Sequence, residues 1–124
     1  MPLEYRVDVS LRTVFARASG VLTDTDVLAF VEGVLAHPSM EPDFNQLFDA
    51  REVTKLELSG ACVREVSTDT GFGEGSLRAF VTESDAGFGM ARMYQTLRDT
   101  YPDEVRVFRS IDEARAWLGL PAEG

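Results

Sequence analysis

The residues best suited to chemistry lie where apolar stretches of the chain end. They are three carboxylates and three arginines: Asp49, Glu83, Asp85, Arg51, Arg92 and Arg109. Carboxylates can hold or transfer protons, and arginines can bind anionic groups. No serine, threonine or cysteine has a base at a spacing that would activate it, so no catalytic constellation is recognisable. Charged strand ends are also typical of solvated loops, and both interpretations stay open.

The chain offers few metal ligands or nucleophiles. His37 is the only histidine and Cys62 the only cysteine, which excludes an internal disulfide and a multi-cysteine metal site. We interpret His37, which precedes Pro38, as a residue at a helix C-terminus, and Cys62 as a small core residue. The sequence therefore implies no metal and no cofactor.

Composition narrows the possible partners. The 124 residues carry a net charge of -9, so nucleic acid and anionic membrane surfaces are unsuitable partners. No apolar stretch is long enough to span a bilayer, and charged residues interrupt the start of the chain where a signal peptide would be apolar. We expect a single cytoplasmic domain over residues 1–124.

Periodicity predicts nine elements in the order β-β-α-β-α-β-α-β-α. Alternation predicts strands near residues 3–10, 13–18, 44–50, 77–82 and 104–108. The clearest helix follows the fourth strand and a turn, opens at Phe88-Gly89 and has one apolar face: Met90, Met93, Tyr94, Leu97 and Tyr101. Strands separated by helices run parallel through right-handed crossovers, whereas the first hairpin is antiparallel. The predicted fold is an α/β domain with a mixed, mostly parallel five-stranded sheet.

The sequence indicates two candidate surfaces. Open α/β sheets bind ligands at the carboxyl ends of their strands, and glycines at a helix start allow close approach to the backbone. A small apolar or anionic ligand would therefore contact a predicted pocket at Asp49, Arg51, Glu83, Asp85, Gly87, Gly89 and Arg92. A second, sheet-face surface combines phenylalanine with arginine, as interface cores do, and predicts a homodimer. It comprises Phe15, Arg17, Phe48, Arg78, Phe80, Arg106 and Phe108. The alternative is that the chain's own helix or hairpin covers that face.

Several segments resemble the STAS, or SpoIIAA-like, superfamily. They are Gly20 before a capped helix, residues 47–56 (LFDAREVTKL) and Ser59-Gly60. Residues 88–94 (FGMARMY) and 110–118 (SIDEARAWL) are most similar to its STAS/SEC14-type bacterial branch, whose members are largely uncharacterised. The resemblance spans nearly the whole chain and implies a mixed sheet wound by successive strand–helix units.

The resemblance also implies what the domain does and does not do. Anti-sigma-factor antagonists of the superfamily carry a phosphorylated serine where this chain has Leu58, which has no hydroxyl. We therefore do not expect that phosphoswitch, and Ser59 is predicted to cap a helix. The resemblance implies a non-enzymatic interaction or regulatory module that associates with itself or with another protein. The alternative is a SEC14-like domain that binds a small molecule or lipid at the carboxyl ends of the strands.

Overall fold

The computed structural model describes residues 2–123, and its elements follow the predicted order. The strands are β1 (Leu3–Asp8), β2 (Thr13–Thr23), β3 (Asn45–Glu57), β4 (Leu77–Val81) and β5 (Glu104–Phe108). The helices are α1 (Asp24–Leu35), α2 (Gly60–Val66), α3 (Asp85–Leu97) and α4 (Ile111–Trp117).

The strands form one sheet in the order β1-β2-β3-β4-β5. β1 pairs antiparallel with β2, and the other pairs are parallel. Each later strand joins the sheet beside the one before it, so the connecting helices α1, α2 and α3 all lie on one face. α4 packs on the opposite face. The predicted mixed, mostly parallel α/β sheet is confirmed.

The register of the parallel strands decides which side chains share a face. Ala16, Phe48 and Phe80 are aligned across β2, β3 and β4. The side under α1–α3, here called the three-helix face, includes Val14, Ala16, Gln46, Phe48, Arg78, Phe80, Val105 and Val107. The other side, here called the α4 face, includes Phe15, Arg17, Leu47, Asp49, Ala79, Val81, Arg106 and Phe108.

This register shows that the predicted phenylalanine–arginine surface is wrong as a single face. Three of its members lie under the helices on the three-helix face: Phe48, Arg78 and Phe80. The other four lie on the α4 face: Phe15, Arg17, Arg106 and Phe108. Alternation within a strand separates its two faces, but only pairing between strands shows which faces coincide. The seven residues therefore cannot form the predicted common interface.

Several element boundaries also differ from prediction. β2 and β3 continue to Thr23 and Glu57, beyond the predicted ends at residues 18 and 50, because their outer halves pair with each other. Two register shifts interrupt this extension, and Gly20 beside them has φ +64°, which glycine adopts without steric penalty. α3 begins at Asp85 and not at Phe88, because the Ser84 hydroxyl accepts the Gly87 N–H at 3.0 Å and caps the helix.

Candidate functional site

The residues predicted as a ligand site at the strand ends are divided between the two faces. Asp49 lies on the α4 face, where its carboxylate accepts hydrogen bonds from the Arg51 side chain at 2.8 and 3.0 Å. Gly87 alone of the seven lines a cavity on the three-helix face. Its N–H is already bonded to Ser84, so the helix start predicted to receive an anion is capped from within the chain. Asp49 and Gly87 therefore face opposite sides of the sheet, and ligand binding at the predicted site stays a prediction.

The other members of that predicted site are placed at the surface near α3. Arg109 donates to the Glu83 carbonyl and to the Asp85 carboxylate, both at 3.0 Å. Arg92 lies over the Phe88 ring, 6.0 Å from its centroid. Gly89 is exposed and an added Cβ would meet no atom within 4 Å. Ligand binding by these residues remains a prediction.

An apolar cavity of about 110 Å³ lies between the sheet and the helices α1, α2 and α3. Its lining is mostly aliphatic and aromatic, with contributions from both the sheet and the three helices. The principal lining residues are Leu22, Val27, Phe30, Val31, Phe48, Ala50, Val53, Leu56, Leu58, Val63, Phe80, Met90 and Ala91. Apolar concave sites with a few polar groups are the usual form of small-molecule sites in proteins.

Aromatic rings pack against one another along the cavity wall. Phe30, Phe48, Phe80 and Tyr94 form a chain in which successive ring centroids are 5.4 Å apart. Such spacing lies within the favourable range for aromatic pairs, so the rings stabilise one another's positions. Gly87 permits α3 to approach β4 closely, because an added Cβ would lie 2.2 Å from Thr82 Oγ1. The cavity is thus bounded by side chains that are themselves packed.

Gln46 is a polar residue of this wall whose side chain has no hydrogen-bond partner in the part of the chain that the structure describes. Its side chain is 1% exposed, and neither Oε1 nor Nε2 has a hydrogen bond among the described residues. Its register neighbour on β4 is Arg78, which also lines the cavity and whose Nε likewise has no partner there. Buried polar groups are normally satisfied, and exceptions require an explanation.

Arg78 belongs to a buried charged triad. Its Nη1 donates to Asp103 Oδ2 at 3.1 Å and to the Tyr94 hydroxyl at 2.7 Å, while its guanidinium lies 4.1 Å from the Phe72 ring centroid. The other oxygen of Asp103 accepts from Arg98, which is 2% exposed. The side chain of Asp103 is fully buried. Two cations share one carboxylate, so the triad has a formal excess of one positive charge, which lies beside the cavity.

On the α4 face a more polar groove surrounds Asp49. Its walls include Glu4, Arg6, Phe15, Arg17, Arg115 and Glu123. Burial raises the pKa of Asp49, but hydrogen bonds from the side chain and backbone of Arg51 outweigh it, so the net pKa lies below its ordinary value. Arg51 also contacts Glu123 at 3.0 Å. Arg51 thus bridges the carboxylates of Asp49 and Glu123 at this groove.

Sequence reasoning missed the residues that give the cavity its chemistry. No motif surrounds Gln46, and Arg78 is predicted as part of the phenylalanine–arginine surface, whereas both line the cavity. Arg98 and Asp103 lie on either side of Pro102 with no motif around them. These two residues come close to Arg78 only because α3 and β5 pack against β4. The spacing of residues along the chain does not indicate this contact.

Known proteins were compared with this chain by sequence and by structure. No protein-family model and no curated protein matches the sequence. A solved structure does match: an uncharacterised DUF3478-family protein from Shewanella loihica PV-4, determined at 2.25 Å and described as having a SpoIIAA-like fold. The match covers 94% of this chain and 93% of that chain, with a TM-score of 0.58 and 18% sequence identity. The chain has a SpoIIAA-like fold. The superfamily resemblance is thus confirmed at the level of fold.

In this SpoIIAA-like domain the segment that matches the phosphoacceptor turn has a structural role. Leu58 lines the cavity, and Ser59 caps α2 by accepting the Cys62 N–H at 3.1 Å, as predicted. The Ser59 hydroxyl also donates to Asp24 at 2.7 Å, and its backbone N–H adds a second bond. These bonds lower the pKa of Asp24. Cys62 is buried, which raises the pKa of its thiol.

Among residues 2–123, no helix is long and apolar enough to cross a membrane.

Proposed function

We propose that this SpoIIAA-like domain is a non-catalytic module that binds a small molecule in the cavity between α1–α3 and the sheet. The observation that carries the proposal is the buried side chain of Gln46, which has no hydrogen-bond partner among residues 2–123 and lies in a mostly apolar cavity wall. A polar group buried without a partner destabilises a fold by about 1–3 kcal/mol. A bound molecule that completes its hydrogen bonds would offset that penalty, which is how specific apolar sites fix the orientation of their ligands.

The alternatives have less support in the geometry. The charged residues at the strand ends form ion pairs with one another, as Asp49 does with Arg51 and Asp85 with Arg109. None of these pairs combines a nucleophile with an adjacent base, as an enzyme of this kind would need. The interface first predicted is divided by the sheet itself. A homodimer remains a separate prediction, which sedimentation of the wild-type protein at high concentration tests.

Nuclear magnetic resonance titrations with small probes test the proposal. Toluene, 1-hexanol and benzoate would each be added to the ¹⁵N-labelled protein, and amide shifts followed. We expect at least one probe to bind, with shifts concentrated on residues of the cavity wall such as Val31, Ala50 and Met90. Absence of binding by all three, or shifts confined to the α4 face, would overturn the proposal.

A matched pair of variants locates the site. Ala91→Phe on α3 places a ring in the cavity and should abolish binding. Ala116→Phe makes the same substitution at an exposed position of α4 and should leave binding unchanged. Binding that persists unaltered in Ala91→Phe would contradict occupancy of this cavity.

A further inference from the structure

We infer that the molecule bound in this cavity is a short carboxylate whose head group is held by Gln46 and Arg78. The inference rests on the proposed function and adds the chemical class of the ligand. Its basis is the juxtaposition, at one end of an apolar cavity, of unused hydrogen-bond donors and an uncompensated positive charge.

The first argument concerns hydrogen bonds. Gln46 Nε2 has two N–H donors and Arg78 Nε has one, and none of them has a partner among residues 2–123. The Tyr94 hydroxyl accepts from Arg78 and still has its own hydrogen to donate. Against these donors stands one unused acceptor, Gln46 Oε1. A carboxylate supplies acceptors only, at about four lone-pair positions, and therefore matches this surplus of donors.

The second argument concerns charge. Asp103 has a fully buried side chain and is shared between Arg78 and Arg98, which leaves one formal positive charge without a second ion-pair partner among residues 2–123. Buried charges are usually paired, because an isolated ion in a medium of low polarity is strongly unfavourable. An anionic ligand next to Arg78 would complete the pairing, and hydrogen bonds to charged groups are roughly twice as strong as neutral ones.

The third argument concerns size. The cavity measures about 110 Å³, whereas an engineered apolar cavity of about 150 Å³ binds benzene. This space is smaller than that benzene site, so it accommodates a chain of a few carbons, or part of a ring whose remainder lies in the open mouth of the cavity, with the carboxylate at Gln46. The wall that remains for the ligand body is aliphatic and aromatic: Val27, Val31, Phe48, Ala50, Val63 and Met90.

A comparison of isosteric ligands tests the inference. Benzoate and nitrobenzene have nearly the same shape and each presents two oxygen acceptors, but only benzoate is charged. We expect benzoate to bind wild-type protein roughly tenfold or more tightly than nitrobenzene, measured by amide shifts at neutral pH. Equal affinities, or tighter binding of nitrobenzene, with shifts at the cavity would overturn the carboxylate assignment while leaving the proposed function intact.

Two substitutions test the head-group residues separately. Gln46→Met removes the amide at similar side-chain length, and Arg78→Met removes the excess charge while the Arg98–Asp103 pair stays balanced. Arg78→Met should bring the affinity for benzoate down to that for nitrobenzene, because the charge is then gone, and Gln46→Met should weaken benzoate binding by roughly tenfold. A preference for benzoate that survives unchanged in Arg78→Met, or benzoate binding that is unchanged in Gln46→Met, would overturn the assignment. Gln46→Met also guards against loss of folding in Arg78→Met, since it leaves the triad in place.

The length of the ligand's alkyl chain distinguishes binding of a short carboxylate from binding of a fatty acid. Affinities would be measured for butanoate, hexanoate, decanoate and hexadecanoate below their aggregation concentrations. We expect affinity to stop rising near hexanoate, because the cavity is then filled. A continued rise through hexadecanoate would overturn the short ligand in favour of a lipid chain that leaves through the cavity mouth.

Discussion

Gln46→Met should stabilise the ligand-free protein. Most substitutions of a residue that is 1% exposed destabilise a fold, because they open a cavity or overpack the core. Gln46 differs because neither polar atom of its side chain has a partner among the described residues. Methionine has a similar length, adapts to irregular space and needs no hydrogen bond.

The magnitude follows from the penalty on an unsatisfied buried group. That penalty is about 1–3 kcal/mol, and its removal should raise the free energy of unfolding by the same amount. For a chain of 124 residues, each kcal/mol corresponds to roughly 3–5 °C in Tm. Sites that bind ligands are often stabilised by substitutions that abolish binding, so this gain should accompany loss of benzoate binding.

Urea denaturation of wild type and variant, with Tm from circular dichroism, measures the effect. The matched control is Gln95→Met, because Gln95 Nε2 donates to the Val105 carbonyl at 2.9 Å and its loss should destabilise by about 1 kcal/mol. If Gln46→Met instead lowers stability by more than 1 kcal/mol with an unchanged m-value, the amide is satisfied in solution and the reasoning fails.

Three further predictions concern stability. Asp103→Asn should destabilise by about 3–5 kcal/mol in urea, because it leaves two buried arginines without a counterion. Its matched control, Glu104→Gln, alters only a surface ion pair and should change stability by less than about 1 kcal/mol. The lowered pKa of Asp49 means that its contribution is complete above its unfolded pKa, near 4, and is lost as pH falls through the lower folded value. The difference in unfolding free energy between wild type and Asp49→Asn should therefore be constant above pH 5 and shrink towards pH 2; an unchanged difference would contradict the ionised pair. Ser59→Ala should cost about 1 kcal/mol through loss of the α2 cap, and an unaffected denaturation midpoint would contradict that role.

Local sequence patterns were sufficient to predict the secondary-structure elements and their order, but they did not predict the candidate site. The 3.6-residue recurrence at Met90, Met93 and Tyr94 lies within α3. Helix-separated strands required parallel pairing, and the sheet has it. By contrast, the grouping of Phe80 with Phe15 failed, because one residue of register moves a whole strand's side chains to the other face.

The cavity chemistry lay beyond sequence reasoning for a different reason. Arginine on a strand usually indicates solvent exposure, yet Arg78 is 6% exposed, because its guanidinium donates hydrogen bonds to Asp103 and Tyr94, which lie far along the chain. The space beside Gln46 is what remains after all surrounding side chains have packed, and no single segment encodes its volume. The burial of Arg78 depends on Asp103, which lies 25 residues away in the sequence. Such a partner can be recognised only when the fold is known.

The position of α4 has a consequence for biosynthesis. Protein chains emerge from the ribosome N-terminal end first, and domains begin to fold as they emerge. The strands and helices that complete the three-helix face precede α4 in the chain, so that side of the sheet can close while Leu47, Ala79 and Val81 still lack their cover. Until Ala114 and Leu118 arrive, this strip is an exposed apolar surface of the kind that chaperones bind and that drives nascent chains to associate. Packing of α4 then removes this strip from solvent.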